Sequence, residues 1–319
     1  MTRLPVAVLG ECVADAFTDS SAERRPGELA LRVLPGGGPA NTAVALARLG
    51  TPTRFLGRIS ADPFGALFRQ HLDSSGVDLG GSVAAAEPST LAIATVDELG
   101  QARYSFHAEG TADWAWTPAE LGALPLAGVG CLHTGSLALV REPGGPRVEE
   151  LLTRAPGRPT VSIDPNVRPL LVDPARYRSR LPHWCAAADI LRLSADDLDL
   201  LLPGVSAERA CDDWHLAGVR LVVITLGGRG ALASLDGERL TVDAPRTDVV
   251  DTIGAGDAFT GGLLHHLGGI GRLGGRLDAL TPEEVHDACR FAARVAALTC
   301  SVAGPNPPWH ADLRDRADS

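Results

Sequence analysis

Short apolar runs alternate with helix-like segments along most of this 319-residue chain. The runs have the length of buried strands and lie at residues 6–9, 129–132, 161–163, 190–193 and 221–226. Strands that are joined by helices pair in parallel, because a helix can carry the chain back to the edge from which it started. The pattern therefore predicts an α/β fold, with a mostly parallel central sheet flanked by helices.

Local capping signals set the expected helix boundaries. One helix should run from about Asn41 to Gly50, and a second should follow Asp62 and Pro63. A third should open at Thr281, because Thr-Pro-Glu-Glu is a capping box with proline at the first helical position.

Two segments in the first third of the chain break this alternation. Residues 29–34 are typical of a lone strand, and residues 91–96 and 103–106 of a hairpin around Asp-Glu-Leu-Gly. We interpret both as a small β lid; the alternative, an extension of the main sheet, would leave edges that need a cover. The predicted division is a lid of residues 13–34 and 87–111 and a large domain of residues 1–12, 35–86 and 112–319.

The segment from Asp251 to Gly262 places glycines and a carboxylate where a strand is expected to turn into a helix. Amide groups at a helix start converge on negative charge, so residues 254–256 form a candidate anion site. A carboxylate repels an anion, and Asp257 therefore makes sense as a base for a hydroxyl that attacks phosphorus. A dinucleotide site would need a third glycine where Phe259 stands, and a purely structural turn would not need Asp257.

A second glycine run, Gly-Gly-Gly-Pro-Ala-Asn, ends at Asn41 and also precedes a helix. Small residues let a ligand approach the backbone, and an amide can both donate to and accept from hydroxyl groups. Asp15, just after the first strand, adds a carboxylate that could accept sugar hydroxyl protons. The alternatives are that Asn41 is a helix cap and Asp15 an ordinary loop residue.

All 29 basic residues are arginine, so the chain contains no lysine. This excludes a Walker-type phosphate loop, pyridoxal chemistry and Ser-x-x-Lys hydrolases, each of which needs a lysine. The formal net charge of -10 argues against a nucleic-acid partner, because affinity for a polyanion comes mainly from neutralising its phosphates. The six cysteines form no close pair, so neither a zinc site nor a disulfide framework is expected.

No apolar run approaches the length of a signal peptide core at the start or of a membrane span later. We therefore expect a cytoplasmic protein with no membrane partner. The pair His265-His266 is not assigned to a metal, because adjacent positions on a helix face different directions.

From end to end the chain resembles the ribokinase-like (phosphofructokinase-B) sugar kinases. The run Gly-Gly-x-Pro-Ala-Asn and the later Asp-Thr-Ile-Gly-Ala-Gly-Asp are similar to the two signatures of that family, in the expected order. The resemblance implies a ribokinase-like fold in which Asp257 is the catalytic base. It also implies an anion hole at Gly254, Ala255 and Gly256, and sugar binding by Asp15, Gly36, Gly37 and Asn41.

The same resemblance implies further ligand contacts. Nucleotide binding is expected at Thr225, Gly227, Gly230, Asn166 and Ala293. Thr225 lies in a segment that could equally be a plain strand with a glycine hairpin. Arg168 would contact the substrate or a phosphate, unless it is an ordinary surface arginine.

Two metal sites follow from the resemblance. Asp197 stands where many relatives carry a glutamate that orders water around magnesium; the alternative is an acidic helix start. The main chain at Asp251 and Ile253 would help to hold a monovalent cation such as potassium.

The expected function is transfer of the ATP γ-phosphoryl group, with Mg²⁺ on the nucleotide, to a primary hydroxyl of fructose or a related ketose. The run from Leu34 to Asn41, with its proline at Pro39, resembles fructokinases and 2-keto-3-deoxygluconate kinases more than ribokinases. The alternatives are a 2-keto-3-deoxygluconate kinase, a nucleoside kinase and a non-catalytic sensor of the same fold. The lid, including Ile93, Tyr104 or Phe106, is expected to close over the sugar. His107 would contact the substrate, unless it is a surface residue. The exposed strands of the lid suggest a homodimer.

Overall fold

The computed structural model describes residues 3–18, 27–96, 102–154 and 158–315. The strands of this part of the chain are β1 (Val6–Leu9), β2 (Val13–Thr18), β3 (Leu31–Gly36), β4 (Thr53–Leu56), β5 (Arg58–Ser60), β6 (Val83–Ala85), β7 (Thr90–Val96), β8 (Ala102–His107), β9 (Cys131–Gly135), β10 (Thr160–Asp164), β11 (Ile190–Ser194), β12 (Leu221–Thr225), β13 (Ala231–Leu235) and β14 (Glu238–Val242). The helices are α1 (Gly38–Arg48), α2 (Pro63–Ser74), α3 (Pro118–Gly122), α4 (Gly145–Arg154), α5 (Pro174–Ala187), α6 (Ala195–Leu201), α7 (Ala207–Ala217), α8 (Ala255–Gly269), α9 (Pro282–Cys300) and α10 (Asp312–Asp315).

An eight-stranded sheet forms the centre of the molecule, in the order β14-β13-β12-β11-β10-β9-β1-β4. The six strands from β12 to β4 are parallel, and the hairpin of β13 and β14 adds two antiparallel strands at one edge. The predicted mostly parallel sheet is confirmed. Because the carboxyl ends of parallel strands meet at one edge, the loops after β1, β9, β10, β11 and β12 can build a single site there.

Helices cover both faces of this sheet, which is why its strands are continuously apolar rather than alternating. Ala7 and Leu9 of β1 belong to the core on one face, and Val6 and Val8 belong to the core on the other. The second core contains Phe259 of α8 and much of the apolar side of α9. Helix α8 is therefore held firmly against the sheet by its apolar residues.

The capping signals place α2 and α9 as predicted, whereas the start of α1 differs. The carboxylate of Asp62 accepts a hydrogen bond from the amide of Gly65 at the start of α2, and Thr281 and Glu284 form the capping box of α9. Helix α1 begins at Gly38, earlier than expected, because Pro39 fits the first turn, where no amide hydrogen is needed. No helix in the described part of the chain is long and apolar enough to cross a bilayer.

A separate four-stranded sheet, in the order β3-β2-β7-β8, lies beside the main one and is called the lid sheet below. Its strands fall within or next to the segments predicted as a lid, and β7 and β8 form the predicted hairpin, whose turn at residues 97–101 lies outside the described residues. The strand expected at 29–34 is β3 and is shifted towards the C-terminus by its pairing with β2. The strand expected at 129–132 is β9, which starts where it pairs with Val6 of β1.

The two faces of the lid sheet have different surroundings. Register partners point to the same face, so Asp15 of β2 lies on the same face as Ala92 and Phe106. Ala14 is fully buried on the opposite face and shares a core with Phe68 and Leu72 of α2. The Ala14 face therefore packs on the body of the protein, and the Asp15 face is free to line a ligand cleft.

Candidate active site

The start of α8 is open to a cavity. Gly254 precedes the helix with φ 77°, a conformation that few residues other than glycine adopt. The amide of Ala255 donates to the carbonyl of Thr252 at 3.2 Å, whereas the amides of Gly254 and Gly256 donate no backbone hydrogen bond within the described residues. A cavity of about 620 Å³ is lined here by Gly254, Gly256 and Asp257, and by Asn166 and Arg168 from the loop after β10. The structure thus brings together a helix N-terminus, a carboxylate and an arginine at the carboxyl edge of the sheet.

Asp257 is held by one hydrogen bond and keeps one oxygen free. Nδ2 of Asn41 donates to its Oδ2 at 2.9 Å, and Oδ1 accepts no hydrogen bond from the described residues. Burial raises the pKa of Asp257 to about 6; the Asn41 hydrogen bond lowers it, nearby Asp164 raises it, and the charges of Arg168 and Arg192 lower it. A carboxylate with a free oxygen and a pKa below neutrality can accept a proton at pH 7.

At each glycine of the run 36–38, an added side chain would collide with a different neighbour. A Cβ on Gly36 would lie 2.1 Å from Oδ2 of Asp15, and one on Gly38 would lie 2.5 Å from Nδ2 of Asn166 and 3.3 Å from Oδ1 of Asp257. Gly37 has φ 102°, and a Cβ there would meet the carbonyl of Glu11 at 2.5 Å. The run therefore lets the chain at the start of α1 approach both Asp15, a predicted sugar ligand, and Asp257, the predicted base.

Asp15 lies on β2 of the lid sheet, not in a loop. Burial raises the pKa of Asp15 to about 6, and the charge of Arg168 acts in the opposite direction. Arg168 itself is exposed, and its guanidinium donates only long hydrogen bonds to the carbonyls of Asn166 and Val167. A ligand between Asp15 and Arg168 would thus meet a carboxylate and a largely unpaired cation.

The predicted lid contacts lie on two faces of the lid sheet. Tyr104 and Phe106 lie on the Asp15 face, with their rings stacked at a centroid distance of 6.0 Å. Ile93 and His107 lie on the opposite face, and His107 and Phe106 line a different cavity together with Asp62. Strand register, which the sequence does not show, therefore places Ile93 away from Asp15, and the exposed His107 fits the alternative of a surface position.

A second cavity, of about 410 Å³, adjoins the first on the side of β12 and α9. Six residues predicted to bind nucleotide or anion line it, namely Thr225, Gly227, Gly230, Ala255, Gly256 and Ala293. Thr225, Gly227 and Gly256 also line the first cavity. The other lining of the second cavity is mostly apolar, including Phe259, Ala296 and Ala297. Asn166 lines only the first cavity. The start of α8 is thus open to both cavities.

Asp197 is a helix cap that also lines the first cavity. Its Oδ1 accepts from the amide of Val167 at 2.8 Å, and its Oδ2 accepts from the hydroxyl of Ser194 at 2.7 Å in the capping box of α6. Oδ2 also accepts from the amide of Ser194 at 3.2 Å. These bonds fit the helix-start interpretation, and Oδ1 retains a lone pair for a water molecule.

The carboxylate of Asp251 shapes the loop before α8. Its oxygens accept from the amides of Ile253 at 3.0 Å and Gly304 at 2.9 Å. Neither the carbonyl of Asp251 nor that of Ile253 accepts a backbone hydrogen bond in the described residues. Both carbonyl oxygens are therefore available to a cation.

The described residues contain no group of three or more His, Cys, Asp or Glu side chains that could hold a metal ion by themselves. Magnesium in nucleotide sites is commonly held by phosphate oxygens, water and one or two carboxylates. Asp197 lies beside the first cavity and could hold such a phosphate-bound magnesium ion through a water molecule.

Arg192 of β11 was not predicted as a site residue. Its Nη1 donates to Asp164 at 2.7 Å, its Nη2 donates to Thr225 at 2.7 Å, and it lines both cavities. The available signal was a single charge inside the apolar run at 190–193, since charged residues are almost never fully buried unless they are paired.

Comparisons with known proteins agree with this geometry. The family model described as "pfkB family carbohydrate kinase" matches residues 4–312. A fructokinase of Rhizobium leguminosarum bv. trifolii is 36% identical over 260 residues, which cover 80% of this chain and 78% of that protein.

Two solved structures are similar over nearly their whole length. The fructokinase of Xylella fastidiosa with bound ATP has a TM-score of 0.88 at 25% identity, with 100% of each chain covered. A fructokinase of Vibrio cholerae, solved with fructose, ADP and a potassium ion, has a TM-score of 0.81 at 27% identity, with 95% of this chain and 94% of that chain covered.

Proposed function

Because the chain belongs to the pfkB family of carbohydrate kinases, we propose that it transfers the γ-phosphoryl group of ATP to a primary hydroxyl of fructose or a closely related ketose. The observation that carries this proposal is the position of Asp257 at the helix start where the two cavities meet. The first cavity contains Asp257 and Arg168 at this helix start, and the second suits a nucleotide, so the base and the anion site lie where phosphoryl transfer would take place. Asp15, Gly36, Gly37 and Asn41 line neither cavity, and the acceptor is proposed to bind beside the first one, next to Asp257.

In the proposed reaction the sugar lies between Asp15, Asn41 and the glycine run, with one hydroxyl at the free Oδ1 of Asp257. This oxygen removes the hydroxyl proton as the sugar oxygen attacks the γ-phosphorus, and the bond to the ADP oxygen breaks on the opposite side. The anion hole at residues 254–256, in which the amides of Gly254 and Gly256 have no backbone partner among the described residues, stabilises the charge that spreads over the transferred phosphoryl oxygens. The lid sheet, which carries Asp15, keeps water away from the activated phosphate.

The adenine and ribose would occupy the second cavity, with Thr225, Gly227 and Gly230 near the phosphates and Ala293 beside the base. Magnesium, when bound with ATP, would neutralise phosphate charge and would be held through water by Asp197. A potassium ion fits the two free carbonyl oxygens of Asp251 and Ile253, which would hold the loop that precedes the anion hole. The potassium ion in the related Vibrio cholerae structure supports this part of the proposal.

The charges at the two carboxylates nearest the proposed acceptor favour a neutral sugar over a sugar acid. Burial raises the pKa of both Asp15 and Asp257, and the charge of the exposed Arg168 lowers the pKa of both. A substrate with its own carboxylate, such as 2-keto-3-deoxygluconate, would add negative charge beside both. Fructose adds none, and its hydroxyl groups match the two carboxylates and the amide of Asn41.

The division into a lid and a large domain, the cytoplasmic location and a homodimer through the lid remain predictions. The free face of the lid sheet and its exposed Tyr104 support the dimer. Light scattering at micromolar concentration, repeated with a lid variant such as Tyr104→Glu, would test it.

The decisive experiment is an ADP-release assay with fructose, other ketoses, 2-keto-3-deoxygluconate and nucleosides as acceptors. We expect fructose or another ketose to give the highest kcat/KM, with the product phosphorylated at a primary hydroxyl by ³¹P NMR. Preference for a sugar acid or a nucleoside would replace the proposed acceptor. Binding of sugar and ATP without ADP release would mean a sensor rather than a kinase.

A further inference from the structure

Arg192 lies directly beneath the candidate anion hole. It is on the face of the sheet that α8 covers, and its guanidinium carbon is 5.7 Å from the centre of the Phe259 ring. A Cβ added to Gly256 would lie 2.8 Å from Nη1 of Arg192 and 3.0 Å from Nη2. Glycine at 256 therefore lets the helix start rest on the guanidinium group.

The partners of Arg192 connect the two cavities. Asp164, at the end of β10, accepts from Nη1 of Arg192 through Oδ2 and from the amide of Asn166 through Oδ1. Thr225, at the end of β12, accepts from Nη2 on the nucleotide side. Arg192 thus ties together the carboxyl ends of three neighbouring strands.

Stability alone explains this arrangement poorly. The side chains of Arg192 and Asp164 are each only 6% exposed, and a buried ion pair seldom returns more than its desolvation cost. Nε of Arg192 is buried and has no hydrogen-bond partner, which adds a further cost. A group kept at such a cost beside an active site suggests a role in the reaction.

We propose that Arg192 is a positioning residue for phosphoryl transfer: it fixes the Asn166 loop and the start of α8, and it supplies positive charge beneath the amides of residues 254–256. In a chain without lysine, this guanidinium is the buried cation nearest to Gly256 among the described residues. The inference rests on the proposed kinase function and assigns a part of its machinery.

The charges that face Asp257 make the role measurable. They come from Asp164 of β10, Arg168 after β10 and Arg192 of β11, and the uncharged partner is Asn41 of α1. Arg192 lowers the pKa of Asp257, and Asp164 raises it. In a plot of kcat/KM against pH, the fall on the acidic side, called the acidic limb below, reports the pKa of the base in the free enzyme. Removing Arg192 should therefore move the acidic limb to higher pH. Removing the charge of Asp164 should move it to lower pH.

The experiment measures kcat/KM of the full chain for its best acceptor from pH 4.5 to 8.5. Arg192→Met should lower kcat by about 10²- to 10³-fold and raise the acidic limb by about one pH unit. Arg192→Lys keeps the positive charge but cannot donate to Asp164 and Thr225 at the same time, as a guanidinium does. The acidic limb of this variant should therefore stay near that of the wild type, while its kcat falls. Asp164→Asn should shift the limb downwards.

Arg58→Met is the matched control, because Arg58 is also buried and paired with carboxylates, Glu87 and Glu120, but lies away from both cavities. It should lower the melting temperature and leave the acidic limb in place. Circular dichroism establishes that each variant is folded.

A folded Arg192→Met variant with the acidic limb and kcat of the wild type would overturn the inference. So would Arg192→Met and Asp164→Asn shifting the limb in the same direction. If Arg192→Met does not fold, Asp164→Asn decides, and an unshifted or raised limb overturns the inference. These results presuppose an active wild type; absence of wild-type ADP release with every acceptor would refute the proposed function itself, and this inference with it.

Discussion

Nδ2 of Asn41 donates to Oδ2 of Asp257 at 2.9 Å, across 216 positions of sequence. The bond joins the first turn of α1 to the first turn of α8, so both signature segments meet in one pair of side chains. It also fixes which oxygen of Asp257 remains free to act as a base. Four predictions follow from the surroundings of this pair.

Asp257→Asn should lower kcat by about 10²- to 10⁴-fold, because the amide cannot take the hydroxyl proton. Affinities for ATP and sugar should change little, since the amide has nearly the same shape. Steady-state kinetics and calorimetric binding measure the two effects. Asp199→Asn, a change at an exposed carboxylate of α6, is the control and should behave as the wild type. A normal kcat in Asp257→Asn would remove Asp257 from the mechanism.

Asp257→Asn should also stabilise the folded protein at pH 8. The pKa of Asp257 is about 6 in the folded state and about 4 in an unfolded chain. Ionisation of the buried group therefore opposes folding, with a penalty that grows above pH 4 and is complete above pH 6. We expect a gain on the order of 1 to 3 kcal/mol at pH 8 and almost none at pH 4. Urea unfolding at both values measures it, and an equal gain at both would contradict the cause given.

Gly36→Ala should raise the KM for the sugar by at least about tenfold, because the added methyl group would collide with Oδ2 of Asp15 at 2.1 Å. The KM for ATP should stay close to that of the wild type, since the nucleotide cavity lies on the far side of the helix start. Gly122→Ala is the matched control: no atom lies within 4 Å of the added Cβ. An unchanged sugar KM in Gly36→Ala would show that Asp15 does not bind the acceptor.

Ala293→Phe should obstruct the second cavity and raise the KM for ATP by about tenfold or more, with little change in the KM for sugar. The same substitution at exposed Ala217 should change neither constant. Initial rates at varied ATP and sugar concentrations separate the two effects. A sugar-selective defect in Ala293→Phe would reverse the assignment of the two cavities.

Features that depend on neighbours in sequence were the most predictable. The starts of α2 and α9 follow from Asp62 and from the capping box of Thr281, whose partners are three residues away. The hairpin of β13 and β14 carried a comparable local signal, since Asp-Gly at 236–237 is typical of a tight hairpin turn, yet it was not predicted.

Features that depend on strand pairing were harder to predict. The face on which Ile93 lies is set by its register with Ala16 and Ser105, and a shift of one residue would reverse it. Arg192 was visible as a charge in an apolar run, but its partners Asp164 and Thr225 become apparent only when three strands lie side by side. The signatures identified the chemistry, and tertiary pairing supplied the residues that support it.

The pairing of Asn41 with Asp257 also orders events during synthesis. A ribosome would release α1 early, whereas α8 would emerge only after most of the sheet had been translated. A nascent chain could thus fold the acceptor side of the cleft while still lacking its base, and would be unable to consume ATP until the two helices met.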